Sequence, residues 1–244
     1  MDTVKFNSYN TRVIAHRGLS GIERENTVPA FVAAANRSYY GIETDIHVTK
    51  DGRFVVIHDD DTKRVTEGAV DLVVEQSEAK ELTEIVLPDR DGTRIRSDIR
   101  IPTLEEYIAV CKKYDKVCVL ELKNHFNVDD IVRMIESIDA QGYLCGMIFI
   151  SFNYENCVNL RKLLPDATIQ WLVGSIELSE EEIISRLLEY RLDIDVFHRR
   201  IGEHTIERLH EKGIRVNTWT VDDKECAEAL AKGGVDYITT NILE

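Results

Sequence analysis

Apolar residues recur along this chain in two rhythms. Short β-branched runs alternate with stretches in which apolar positions return every three or four residues. The first rhythm predicts strands over residues 12–16, 42–48, 54–58, 116–122, 147–151, 168–173, 194–198, 214–220 and 237–240. The second predicts helices over 28–37, 104–113, 128–140, 154–164, 180–189, 203–211 and 224–231. Asn26-Thr27, Pro102-Thr103 and Ser179 supply helix starts, and Gly142 and Gly213 supply stops.

Repeated strand–helix units imply a parallel sheet. The length of 244 residues suits an eightfold β/α barrel of the TIM type, in one domain spanning 1–244. Nine strands are one too many for eight places, and the stretch YGIETDIHVTKDGRFVVIHDD at 40–60 resolves the excess. Too few residues separate Val48 from Phe54 for a parallel crossover, so 54–58 returns antiparallel as a hairpin arm. Asp51-Gly52 is a preferred pair for a two-residue turn, which sets Lys50 against Arg53 and Asp45 against His58. Glu43, two residues along, shares that face.

Carboxylates on a buried sheet face need compensation, because desolvating an unpaired charge costs several kcal/mol or more. Other strand ends supply candidates. The first ends in His16, Arg17 and Gly18, the run KVCVLELKN carries Glu121 and Lys123 on one face, and IRVNTWTV ends with Trp219. Three carboxylates suit a hard, oxygen-preferring cation such as Mg²⁺ or Ca²⁺. Arg17 and Lys123 suit a phosphate, and two histidines suit one proton acceptor and one donor. Together they point to phosphoester cleavage at the barrel mouth.

Composition narrows the setting. The chain is 43% hydrophobic and 30% charged, with a formal net charge of −14. That charge argues against nucleic acid as a partner, while a bound divalent ion keeps a phosphate substrate within reach. No apolar run is long enough to span a bilayer, and the polar start MDTVKFNSYN does not read as a secretory leader. Five cysteines without a Cys-x-x-Cys pair read as reduced thiols of a cytoplasmic protein. Self-association into a homo-oligomer stays an open expectation.

The chain resembles the glycerophosphodiester phosphodiesterases, within the phosphatidylinositol phospholipase C-like phosphodiesterase barrels. The resemblance rests on AHRG at 15–18, ENT at 25–27, IETDIHVTKDGRFVVIHDD at 42–60, RVT at 64–66, IPTLEE at 101–106, LELK at 120–123, SF at 151–152, WTV at 219–221 and GVDYITTN at 234–241. It implies a small insertion over 59–102 at the barrel mouth, after the second strand's hairpin. It also implies one divalent cation held by Glu43, Asp45 and Glu121, with His16 as base and His58 as acid. On the same resemblance, Arg17 and Lys123 would hold phosphate and Trp219 would wall the alcohol side. The implied reaction turns small glycerophosphodiesters, such as glycerophosphocholine or glycerophosphoethanolamine, into glycerol 3-phosphate and an alcohol.

Two departures stand out: Arg24 replaces the proline usual before Glu-Asn-Thr, and the closing Thr-Asp-x-Pro becomes Thr240-Asn241-Ile242-Leu243. Asn241 is accordingly left out of the site, as are His47, the loop residues Asp59 to Asp61, and the surface histidines His125, His204 and His210. His198 is a weaker strand-end candidate. The rivals are action on a lysophospholipid or another phosphodiester, and a barrel that binds a phosphodiester without catalysis. An amidohydrolase-type metallohydrolase expects His-x-His on the first strand, where Arg17 is followed by Gly18.

Overall fold

The computed structural model describes residues 2–92, 95–174 and 178–244. In chain order the elements are β1 (Arg12–Ala15), α1 (Val28–Ala35), β2 (Gly41–Val48), β3 (Phe54–Val56), α2 (Ala79–Thr83), β4 (Val86–Pro88), β5 (Ile95–Arg100), α3 (Leu104–Tyr114) and β6 (Val117–Leu122). They continue with α4 (Val128–Ala140), β7 (Met147–Ser151), α5 (Tyr154–Leu163), β8 (Thr168–Val173), α6 (Glu180–Glu189), β9 (Asp193–Phe197), α7 (Glu203–Glu211), β10 (Val216–Trp219), α8 (Lys224–Lys232) and β11 (Tyr237–Thr240). The main sheet runs β1-β11-β10-β9-β8-β7-β6-β2 with every pair parallel, and β1 pairs with β2 to close it. The result is a TIM-type barrel of eight parallel strands, with β3 hung antiparallel on β2.

Both faces of each barrel strand are covered, which is why the runs read as nearly continuous apolar text. On β6, Leu120 and Leu122 face the helices while Val119 packs inside with Ile14, Ile148, Ile150, Leu172 and Tyr237. Parity therefore turns Glu121 inward, as it does Glu43 and Asp45 on β2. Side-chain caps start α1 at Thr27, α3 at Thr103, α4 at Asn127, α5 at Asn153, α6 at Ser179 and α8 at Asp223.

The hairpin register differs by one residue from the expected one. Ile46 pairs with Val56 and Val48 with Phe54, so Ile57, not His58, stands opposite Asp45. The cause is the turn. Thr49 N donates to Arg53 O at 2.8 Å around a three-residue loop, and Gly52 takes φ +74°. This is the longer hairpin loop that ends on a left-handed glycine, not the two-residue turn. Asp51 instead ties the tip down, accepting from Thr49 Oγ1 at 2.6 Å and Ala79 N at 2.9 Å.

Between β3 and α3 the chain forms α2, the β4–β5 hairpin and a small core of its own. Val65, Val74, Leu82, Leu87 and Ile99 pack there against Val55 and Ile57 of the hairpin arm. Arginines fasten this segment to the loop after β1. Arg24 Nη2 donates to Val65 O at 2.7 Å, and Arg90 Nε to Ser20 O at 2.9 Å. No helix among the described residues is long and apolar enough to cross a membrane.

Candidate active site

The loop after β1 makes a sharp reversal, with Arg17 at φ +54° and Gly18 at φ +73°. A Cβ on Gly18 would lie 2.7 Å from the Ala30 backbone, so the start of α1 can approach this closely only over a glycine. The reversal aims Arg17 N at Glu43 Oε2, 2.8 Å away. It also swings the guanidinium toward Asp45 Oδ2 at 3.3 Å and Glu25 Oε1 at 2.9 Å.

Asp45 and Glu121 are register partners on β2 and β6. With Glu43 they form a buried group whose carboxylate oxygens lie within 4.8 Å of one another. Lys123 Nζ bonds Glu121 Oε1 at 2.8 Å and stands 3.4 Å from Asp45 Oδ1. Asn26, at φ +54°, donates its side-chain amide to Asp45 Oδ2 at 2.7 Å.

These carboxylates do not share charge evenly. Burial, then the charges of Asp45 and Glu121, pushes Glu43 far above the usual carboxylate range. Burial, then Asp45, lifts Glu121 to about 7. Burial acts on Asp45 too, but Lys123 and Arg17 outweigh it and hold that acid well below its ordinary value. Two cations are too few for three buried anions. Glu43 Oε1 and Asp45 Oδ1 are buried without a hydrogen-bond partner. An all-oxygen set with unmatched acceptors fits a hard divalent cation.

The histidines flank this group. His16 Nε2 is 4.0 Å from Glu43 Oε2, and burial followed by the Arg17 charge lowers His16 to about 4. His58 lies beyond the end of β3, where the chain bends. Its Nδ1 donates to Asp59 Oδ1 at 2.7 Å. Burial lowers His58 as well, opposed by Asp45. Arg64 then forks between Asp59 (Nε to Oδ2, 2.6 Å) and Glu25 (Nη2 to Oε1, 2.8 Å), which itself holds Arg17.

His16, Arg17, Glu43, His58, Glu121, Lys123 and Trp219 line one small cavity, and Asp45 sits in its wall against Arg17 and Lys123. All eight residues singled out in the sequence are thus gathered at one mouth. Trp219 donates Nε1 to Asp195 O at 3.3 Å and meets Phe152 edge-on at 5.4 Å. A larger depression between α6 and α7, about 340 Å³, is lined mostly by aliphatic groups and, among the described residues, holds no such charge cluster.

Several partners were not foreseen. Asp59, set aside as a loop residue, is the acceptor for His58, and Asn241, set aside as a departure, bonds His16 Nδ1 at 2.8 Å. Asp195 lines the cavity with Oδ1 unpartnered, and burial followed by Glu121 raises it far above normal. Its signal was available: an aspartate with inward parity in the apolar run DIDVF. His198 bonds the Trp219 carbonyl at 3.1 Å and does not line the cavity. His47 is buried behind it, 3.3 Å from the His58 carbonyl.

A barrel mouth so equipped marks a phosphoric diester hydrolase. The chain matches the glycerophosphoryl diester phosphodiesterase family over residues 16–244 and belongs to that family. It is 31% identical over 233 residues to a glycerophosphodiester phosphodiesterase of Caldanaerobacter subterraneus subsp. tengcongensis, covering 95% of this chain and 94% of that one. Among solved structures it resembles an Oleispira antarctica phosphodiesterase in complex with the product sn-glycerol-3-phosphate. The TM-score is 0.84 at 26% identity, over 97% of this chain and 95% of the other. A Thermotoga maritima glycerophosphodiester phosphodiesterase superposes with a TM-score of 0.77 at 26% identity, over 96% and 95%.

Proposed function

We propose that the chain cleaves small glycerophosphodiesters, such as glycerophosphocholine or glycerophosphoethanolamine, to glycerol 3-phosphate and the free alcohol. In this reading Glu43, Asp45 and Glu121 hold one Mg²⁺ or Ca²⁺. One observation carries it: three buried carboxylates within 4.8 Å, two of their oxygens without a hydrogen bond, beside two cations and between two histidines. The Oleispira relative's bound sn-glycerol-3-phosphate is the product this reading expects.

A divalent ion there would draw charge from the phosphoryl oxygens, which otherwise repel a nucleophile. Arg17 and Lys123 add positive charge on the same oxygens and fix the phosphate's orientation. His16, kept neutral by burial, accepts the proton of the nucleophile at Nε2. That nucleophile is water or the neighbouring glycerol hydroxyl, the latter leading through a cyclic phosphate. His58 gives a proton to the departing alkoxide as the phosphorus–oxygen bond breaks. Trp219 and Phe152 wall the alcohol side, and the segment 59–102 shapes the rim.

The test is a substrate panel of glycerophosphocholine, glycerophosphoethanolamine and a lysophospholipid, each with Mg²⁺ or Ca²⁺, read by glycerol 3-phosphate release. Release from the two small diesters is expected. Turnover of the lysophospholipid alone would overturn the substrate class.

A further inference from the structure

We infer that Asp222 and Asn241 act as a pair that fixes the tautomer and orientation of His16, making both positioning residues for the reaction. The inference rests on His16 being the base. Asp222 lies after β10 and Asn241 directly after β11, so the pair spans two neighbouring strand ends beside β1.

An ionised carboxylate only accepts. Asp222 Oδ1 takes the Asn241 backbone N–H at 2.8 Å and the Thr240 hydroxyl at 3.0 Å. Asp222 Oδ2 lies 2.6 Å from the side-chain nitrogen of Asn241. An asparagine amide can usually be turned either way. Here the carboxylate demands the NH₂ end, which leaves Oδ1 pointing at His16 Nδ1, 2.8 Å away. Ser20 Oγ lies 2.7 Å from that oxygen and 2.7 Å from the His16 carbonyl, with one proton for the two, so the carboxylate alone decides the orientation. An acceptor facing Nδ1 requires the ring proton on Nδ1. The lone pair of the neutral ring is then on Nε2, toward the cavity and Glu43. Asp222 thus sets which nitrogen of His16 can receive a proton without touching His16.

A swap of the two side chains tests this. Asn241→Asp alone places two carboxylates in a 2.6 Å contact and breaks the pair. Asp222→Asn alone lets the Asn241 amide turn and present NH₂ to His16. Each single variant should lose about 10²-fold in kcat with KM within about twofold, the scale of a displaced or mis-protonated catalytic group. The double variant restores every donor–acceptor match: the introduced carboxylate accepts from His16, and the introduced amide donates to it. It should recover to within about threefold of the parent kcat. Nitrogen-15 NMR of the imidazole should show the Nδ1-protonated form in the parent and the double variant, and a mixture in Asp222→Asn. A double variant no better than the singles, or singles that keep both kcat and the parent spectrum, would overturn the pairing. His16→Ala separates this from the underlying reading: retained turnover there removes the base role, while the spectra of the parent and of the Asp222 and Asn241 variants still report the pair.

Discussion

Asp59 Oδ1 accepts the Nδ1 proton of His58 at 2.7 Å, so the residue after the histidine fixes its ring. The Asp59 carboxylate is held down to about 2: burial raises it, and hydrogen bonds from Arg64 and His58 more than reverse that. An ionised partner on Nδ1 leaves Nε2 to meet the substrate, and it offsets part of the burial that lowers the ring's pKa.

His58→Ala should therefore lower kcat for glycerophosphocholine by about 10²–10⁴, the usual range for a positioned acid. A nitrophenyl diester, whose leaving group needs little protonation, should lose far less. Metal affinity should be unchanged, since His58 is not assigned to the carboxylate group. Equal losses on both substrates would transfer the acid role elsewhere.

Arg64 links Asp59 to Glu25, and Glu25 is held at about 2: burial raises it, while Arg64 and Arg17 bring it down. Both carboxylates have folded pKa values below their unfolded ones, so their stabilisation is present above about pH 4.5 and lost as pH falls toward 2. Arg64→Met should cost about 1 kcal/mol at pH 7, a modest figure because Arg64 is half exposed. The gap should close by about pH 2–3. Denaturant titrations of both proteins at the two pH values check this, and a gap that widened in acid would refute it.

Gly18→Ala should cost about 1–3 kcal/mol, because φ +73° and the 2.7 Å approach to Ala30 leave no room for a methyl group. Activity should fall with stability, since the same turn aims Arg17 at Glu43 and Asp45. A thermal melt unchanged from the parent would contradict it.

The barrel was legible because its strands are buried on both faces and its helices carry caps, so each unit announced itself. The predicted limits at 128–140, 147–151, 168–173, 180–189, 203–211 and 237–240 coincide with the observed α4, β7, β8, α6, α7 and β11. The hairpin register was not legible. Asp51-Gly52 permits two loop lengths, and docking of Asp51 on Ala79 N is part of the longer one. His58 still reaches the mouth, because β3 stops at Val56 and the chain bends before Asp59. Short elements such as α2 and β4 went unread because their apolar residues serve a small separate core within charged sequence. Asn241 looked like a lost charge and Asp222 was not singled out, since their pairing needs two strand ends brought together in space.

Glu43, Asp45 and Glu121 are proposed to hold a cation the reaction needs. The direct measurement is turnover of glycerophosphocholine after exhaustive chelation, followed by addition of Mg²⁺ or Ca²⁺. Chelation should abolish glycerol 3-phosphate release and one of the two ions should restore it, in the parent but not in Asp45→Asn. Full activity in a demonstrably metal-free sample would contradict the account.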